Sequence, residues 1–410
     1  MTRSSDDRCL PVPQAQALSF PGWPEFDEQQ RAAVNDVLMS GRVNYWTGDE
    51  VRAFESEYAA SLEVPHAIAV SNGTVALEVA LRALRIRSGH EVIVPSRTFL
   101  ATASSVALLG ATPVFADVDK ASGNVTASTI EPLITPRTRA IIVVHVAGWP
   151  CEMDAIADLA RRRRLPLIED CAQAHGALYR GRPVGTLGDI GCFSFCQDKI
   201  LTTGGEGGLI VTARDDIWKH AWSLKDHGKS WDAVHNRKHS TLFKWLHEIV
   251  GTNGRLTEMQ AAIGRIQLRR LPEWVAARRR NAEILDRRLA DLPGLRLVEI
   301  PEHLHHSYYK YYAFIEPTEL PADCTRDHIA AAIQKRGVPC GPGSCGEIYR
   351  ELAMKPFMPK HRRLVAQRLG ETSLMFQVHP TLDVMHMELM AAHIRDVFEQ
   401  LTTQSAPCAA

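Results

Sequence analysis

Lys199 closes the run Ser194-Phe195-Cys196-Gln197-Asp198-Lys199, which leads into Thr202-Thr203-Gly204-Gly205-Glu206-Gly207-Gly208. It follows an apolar strand pattern, and the glycines let backbone approach a planar ligand closely. A lysine held out of water loses part of its ammonium character and becomes a nucleophile able to form a Schiff base. Left in water it is a surface charge, and the glycines are an ordinary turn. A second element, Leu165-Pro166-Leu167-Ile168-Glu169-Asp170, reads as a buried strand delivering a carboxylate at its C-terminal end, where open α/β sheets bind ligands. Asp170 then either caps the next helix or makes a charge-assisted bond to a protonated ring nitrogen. In the third element, Ala69-Val70-Ser71-Asn72-Gly73-Thr74, a strand turns straight into an amphipathic helix. The free N–H groups and positive dipole end of such a helix suit a phosphate, so Gly73 and Thr74 are phosphate candidates, with a simple strand-to-helix turn as the alternative. The G-x-G-x-x-G fingerprint is absent from this turn, which leaves a dinucleotide without direct support. A ring anchor at Asp170, a covalent tether at Lys199 and an early anion cradle are together what pyridoxal phosphate requires.

The elements that must position these residues are legible as alternating β-branched runs and helical patterns from residue 64 onward, the signature of strands joined by crossover helices. Strands are expected at His66–Ser71, Glu91–Pro95, Pro113–Val118, Ala140–Val146, Leu165–Glu169, Ile190–Phe195 and Gly208–Val211. Val75, Leu77, Val79, Ala80, Leu81 and Leu84, and again Met153, Ile156, Ala157 and Leu159, recur at helical spacing and mark core faces. The expected architecture is α/β: a large domain with a mostly parallel seven-stranded sheet flanked by helices, then a smaller C-terminal α+β domain. After about residue 256 two helices are expected, Thr257–Leu271 and Pro272–Leu292, with Pro272 in a first helical turn. An aromatic strand (Ser307–Ile315), a helix (Arg326–Arg336) and a closing amphipathic helix (Asp383–Leu401) complete the chain. The division is a tail at 1–20, a large domain at 21–270, a small domain at 271–402 and a tail at 403–410.

The chain has 410 residues, 45% hydrophobic and 23% charged, which excludes a disordered or collagen-like polymer. Lys+Arg and Asp+Glu are both 47, so no global positive field exists to hold nucleic acid or anionic lipid, and a small-molecule substrate is the default. No apolar run approaches the roughly 18 residues of a membrane span, and the polar start from Met1 to Gln16 carries no signal-peptide core. A cytoplasmic protein with neither nucleic-acid nor membrane partner is expected. The nine cysteines match no zinc or disulfide spacing and read as mostly buried thiols. The basic runs Arg161–Arg164 and Arg278–Arg280 read as solvated helix faces. His303, His305 and His306 read as a solvated turn without the spaced partners of a metal site, so no metal is expected. The tyrosines among Tyr308-Tyr309-Lys310-Tyr311-Tyr312 are expected to split between core and surface, with a nucleotide or sugar contact as the alternative.

In its ordered motifs the sequence resembles the DegT/StrS group of sugar aminotransferases, fold type I pyridoxal phosphate enzymes, from about residue 32 to 395. The motifs are Gly48-Asp49-Glu50-Val51 with Phe54-Glu55, Ser71-Asn72-Gly73-Thr74, Val94-Pro95-Ser96, Glu169-Asp170, the lysine loop, Asp226-His227-Gly228 and Gly251-Thr252-Asn253-Gly254-Arg255. The resemblance implies Lys199 as the Schiff-base lysine and Asp170 as partner of the pyridinium nitrogen. Phe99 matches the aromatic that stacks on the cofactor ring, and Gln173 the residue near its phenolic oxygen. Gly73, Thr74 and Ser194 match the phosphate site, and Asn253 a residue that reaches the phosphate of the neighbouring subunit, so a homodimer is implied. Relatives that remove a sugar hydroxyl carry histidine where this chain has Lys199, so the lysine implies transamination. The implied reaction moves an amino group from an amino acid, glutamate by analogy, to a nucleotide-linked keto sugar in amino-sugar or polysaccharide synthesis. Alternatives are a keto-cyclitol (inosose-type) aminotransferase and a non-enzymatic sensor that retains the fold. The chain departs from many relatives at Pro339-Cys340-Gly341-Pro342-Gly343-Ser344-Cys345-Gly346-Glu347-Ile348-Tyr349, where they carry a Tyr-Pro-type segment.

Overall fold

A computed structural model describes residues 19–239, 244–321 and 324–403; the tails expected at 1–20 and 403–410 fall almost wholly outside them. Seven strands, β1 (His66–Val70), β2 (Glu91–Pro95), β3 (Thr112–Ala116), β4 (Thr138–Val144), β5 (Leu167–Asp170), β6 (Ile190–Ser194) and β7 (Gly208–Thr212), form one sheet in the order β1-β7-β6-β5-β4-β2-β3. β7 runs antiparallel to both its neighbours, and the other pairings are parallel. Each strand lies within about two residues of its expected position because unbroken β-branched runs bury both faces of a parallel sheet. On β2, Val92 and Val94 join the core on one face while Ile93 joins the core on the other; Ile142 and Ile141 divide in the same way on β4.

Helix α1 (Glu28–Ser40) packs on the long helix Glu258–Leu289, while α2 (Glu50–Ser61), α3 (Gly73–Ala83), α4 (Ala101–Leu108), α5 (Met153–Arg163) and α6 (Asp215–Lys225) cover the sheet. Asn72 caps α3, its side-chain oxygen accepting from Val75 N–H at 2.9 Å. The smaller sheet comprises β8 (Leu295–Arg296), β9 (Tyr311–Ile315), β10 (Cys340–Gly341) and β11 (Ser373–Phe376) in the antiparallel order β8-β9-β11-β10. Its own core includes Ile329 and Ile333 of the helix Arg326–Lys335 and Met390, Ile394 and Phe398 of the closing helix Val384–Thr403.

Several expectations are corrected. The two helices expected to meet at Pro272 are a single 32-residue helix, α7 (Glu258–Leu289), with Pro272 inside it. Gln267 and Leu268 before the proline and Val275, Ala277 and Arg278 after it are buried, and this packing carries the helix past the N–H that proline lacks. Arg278 is not solvated: it is 1% exposed. Neither do the histidines form a solvated turn, for His306 is buried, His303 faces Glu152 at 2.9 Å and His305 belongs to a short strand. Tyr308, Tyr309, Tyr311 and Tyr312 are all buried rather than split between core and surface, and the aromatic strand begins only at Tyr311. Of the described cysteines only Cys151, Cys171 and Cys192 are buried. The run from Arg161 to Arg164 is solvated as expected.

Candidate active site

Because β1, β2, β5 and β6 run in the same direction, their carboxyl ends share one edge of the sheet, and the chemistry-bearing residues gather there. A cavity of about 1080 Å³ at this edge is lined by Gly73, Thr74, Phe99, Asp170, Gln173, Ser194 and Lys199. Seven of the eight residues singled out in the sequence therefore meet. Asn253 does not line it; this residue is exposed on a loop bonded to the end of α6.

Asp170 ends β5 and is 5% exposed. Its Oδ2 accepts from Thr102 Oγ1 at 2.8 Å and its Oδ1 from Ala172 N–H at 3.1 Å. Burial pushes the carboxyl above the ordinary aspartate value, and these two bonds pull the other way. No cation stands within ion-pair distance of it among the described residues. A protonated pyridine nitrogen would supply the missing charge, so the residues present fit the ring of pyridoxal phosphate.

The turn at Gly73 is built on close contact. A Cβ on Gly73 would sit 2.7 Å from Ser194 Cβ, and one on Gly208 only 2.4 Å from Asn72 O. Glycine at these two places lets the N-terminus of α3 seat against β6 and β7, with Thr74 and the helix N–H groups facing the cavity. Ser194 is fixed from behind. Burial lowers His175 to about 4, so it is neutral, donating from Nε2 to Ser194 O at 2.8 Å and accepting at Nδ1 from Tyr58 OH at 2.8 Å. Gln173 Oε1 accepts from Ala147 N–H at 2.7 Å, which orients that side chain. Phe99, with 70% of its surface exposed, presents an uncovered ring at the cavity.

Lys199 lies on the loop after β6 with its side chain 16% exposed. Its Nζ is 3.4 Å from Tyr309 OH and 3.9 Å from Asp198. Tyr309 OH donates to Asp198. Lys310 reaches the same carboxylate at 3.5 Å, and burial lowers its ammonium to about 8. The segment that departs from relatives also enters the cavity wall through Gly343, Ser344 and Cys345, and Ile348 N–H donates to Ser96 O at 2.9 Å.

Thr102 at this site and Trp23 behind it had no role assigned from the sequence, and Tyr309 and Lys310 entered only through the aromatic run with its alternative of a nucleotide or sugar contact. Thr102 carried a local signal, lying four residues after Thr98 at the start of α4, where their hydroxyls meet at 3.1 Å. Trp23 carried none, being 176 positions from the lysine it bonds. Glu169, beside Asp170, is structural: its oxygens accept from the N–H groups of Gly185, Leu187 and Gly188 at 2.8, 2.7 and 2.6 Å and face His145 at 3.0 Å. These bonds occupy the carboxylate in the buried group it forms with His145 and Cys171.

A mostly parallel sheet whose carboxyl ends bring together a lysine, a buried acid and a helix N-terminus is the arrangement of a fold type I transferase using pyridoxal phosphate. The model of the DegT/DnrJ/EryC1/StrS aminotransferase family matches residues 24–402. The UDP-N-acetyl-3-dehydro-alpha-D-glucosamine 3-aminotransferase of Acidithiobacillus ferrooxidans is 38% identical over 375 residues, covering 89% of this chain and 94% of that protein. The X-ray structure of an aminotransferase from Psychrobacter cryohalolentis superposes with a TM-score of 0.91 at 48% identity, covering 93% of this chain and all of that one (100%). That of S. venezuelae DesV in complex with a ketimine intermediate gives 0.80 at 34%, covering 90% of this chain and 94% of that one. The chain belongs to the DegT/DnrJ/EryC1/StrS aminotransferase family. It is an enzyme, and pyridoxal phosphate is its cofactor. No helix among the described residues is long and apolar enough to cross a membrane.

Proposed function

We propose that the protein moves an amino group from an amino acid, glutamate in this reading, to a nucleotide-linked keto sugar. The observation that carries the reading is the meeting of Lys199, Asp170 and the Gly73–Thr74 turn in one cavity. At about 1080 Å³ that cavity is slightly larger than the range of about 300–1,000 Å³ usual for small-molecule sites, room for a cofactor and an extended acceptor. Bound there, pyridoxal phosphate supplies a carbonyl carbon that condenses with amines and a ring that accepts electrons. Lys199 would hold it, and the same amine would carry a proton to and from the substrate carbon. Asp170 keeps the ring nitrogen protonated, Phe99 covers the ring, Gln173 lies near its phenolic oxygen, and Gly73, Thr74 and Ser194 hold the phosphate. The cavity lies between a large domain (21–270) and a small domain (271–402) that share α7. Two chains form the working unit, with Asn253 of each reaching the other's phosphate site; its exposure away from its own cavity supports this.

An acceptor screen with glutamate as donor, read by mass, tests the substrate class. Amination of a UDP-, GDP- or dTDP-linked 3-keto or 4-keto sugar is the expected result. Amination of a keto-cyclitol alone would replace the nucleotide sugar in the assignment. No amination, with a cofactor absorbance indifferent to every amino donor, would favour the sensor.

A further inference from the structure

Lys199 is held at both ends by residues far from it in the chain. Its carbonyl oxygen accepts from the indole N–H of Trp23 at 2.8 Å, and its Nζ lies 3.4 Å from Tyr309 OH. Arg278 joins the two holders. Its guanidinium lies 5.1 Å from the centre of the Trp23 ring, and its NH1 donates to Tyr308 O at 3.3 Å and Tyr309 O at 3.1 Å. Trp23 is itself fixed, edge-on to Trp274 with ring centres 5.0 Å apart and stacked on His379 at 6.1 Å. Thr381 Oγ1 donates to the neighbouring Gly22 O at 3.0 Å. The contacts close a ring: Lys199 carbonyl, Trp23, Arg278, Tyr309, Lys199 amine. The lysine belongs to an irregular loop, where no ladder serves its carbonyl, and the indole meets that need.

We infer that Trp23 and Arg278 are positioning residues for the reaction, acting through Lys199: the chain ahead of α1 is a strap that sets the lysine loop, and Arg278 couples the strap to Tyr309. This explains why a guanidinium is buried in a place where its Nε and NH2 find no partner, an arrangement that packing alone does not favour. The inference rests on Lys199 being the reactive lysine.

Trp23→Phe tests it, because the ring stays and only the N–H goes. In the apoenzyme, labelling of Lys199 by trinitrobenzenesulfonate, read by peptide mass, is expected to rise at least about threefold, while labelling of Lys219 stays constant. In the loaded enzyme kcat is expected to fall about tenfold with KM within about twofold, the pattern of a misplaced catalytic group. Tyr309→Phe is expected to raise Lys199 labelling likewise, and it supplies the same reading if Trp23→Phe melts early. The double variant is expected to lose little more kcat than the worse single variant, since both act on one lysine. Unchanged labelling in the folded variants, or losses that multiply, would overturn the inference. Borohydride reduction of the loaded wild type is the separate control: label on another peptide would remove Lys199 from the chemistry while leaving the apoenzyme comparison readable.

Discussion

At the scale of single residues, the proposed function turns on Lys199 and Asp170, the first as a nucleophile and the second as an anion. Burial raises Asp170 above its ordinary value of 3.8, so the folded apoprotein keeps that proton to a higher pH than the unfolded chain does. The stability contributed by the neutral acid is complete below the unfolded value and is lost as pH rises through the folded one. This component of the apoprotein's stability should therefore be lost as pH rises above the ordinary aspartate value. Cofactor should protect it increasingly over the same range, because a ring cation pairs the carboxylate. Apo Asp170→Asn should lack this component. Melting curves of both apoproteins across pH check the sign, and equal slopes would contradict it. Loaded Asp170→Asn should lose about 10²–10³ in kcat/KM, the scale of removing one preorganised electrostatic partner. Lys199→Ala should fold, bind cofactor without covalent attachment and lose at least about 10²–10⁴ in rate, checked by borohydride trapping and product assay. These residues were legible because a strand-end acid, a glycine-flanked lysine and a strand-to-helix turn are local patterns. Arg278 was misread as solvated because a basic run on a helix has no local mark for the one side chain that turns inward.

At the scale of elements, the large sheet was legible almost strand by strand, since continuous Val, Ile and Leu runs between glycines leave few alternatives. The start of α7 was equally plain: Thr257 accepts from Gln260 N–H while Gln260 accepts from Thr257 N–H, a capping box visible in the sequence. The break expected at Pro272 was wrong because proline at a first turn and proline in a long buried helix look the same locally. Tertiary burial on both sides decides between them. The outcome carries a prediction: Pro272→Ala restores an N–H for Leu268 O in an existing helix whose ring position is exposed. Stability should rise by about 1–2 kcal/mol, less than the roughly 3 kcal/mol separating proline from alanine in a free helix, because the helix has adapted. A urea titration should show a higher midpoint with unchanged slope; a lower midpoint would mean that proline's fixed backbone angle contributes more than the missing bond costs.

At the scale of the whole molecule, the question is why a residue matched to the phosphate site lies outside its own cavity. The loop bearing Asn253 is pinned by backbone: Thr252 N–H donates to Leu224 O at 2.8 Å, Gly254 N–H to Lys225 O at 2.8 Å, and Ser71 N–H to Gly254 O at 2.8 Å. Beneath it Lys225 is buried 3.5 Å from Glu55, and Arg255 pairs with Asp226 at 2.5 Å. So firm a mount on an exposed tip suits delivery to a second chain better than a swing back into the first. Co-expression of Lys199→Ala with Asn253→Ala tests this directly. If Asn253 acts across the interface, the mixed dimer contains one site with both residues intact, because the Asn253→Ala chain keeps its lysine and receives asparagine from its partner. Purified heterodimer should then show about half the wild-type rate per dimer, well above the Asn253→Ala homodimer. If Asn253 acts within its own chain, each site in the mixture lacks either the lysine or the asparagine, and the heterodimer should not exceed half the rate of the Asn253→Ala homodimer.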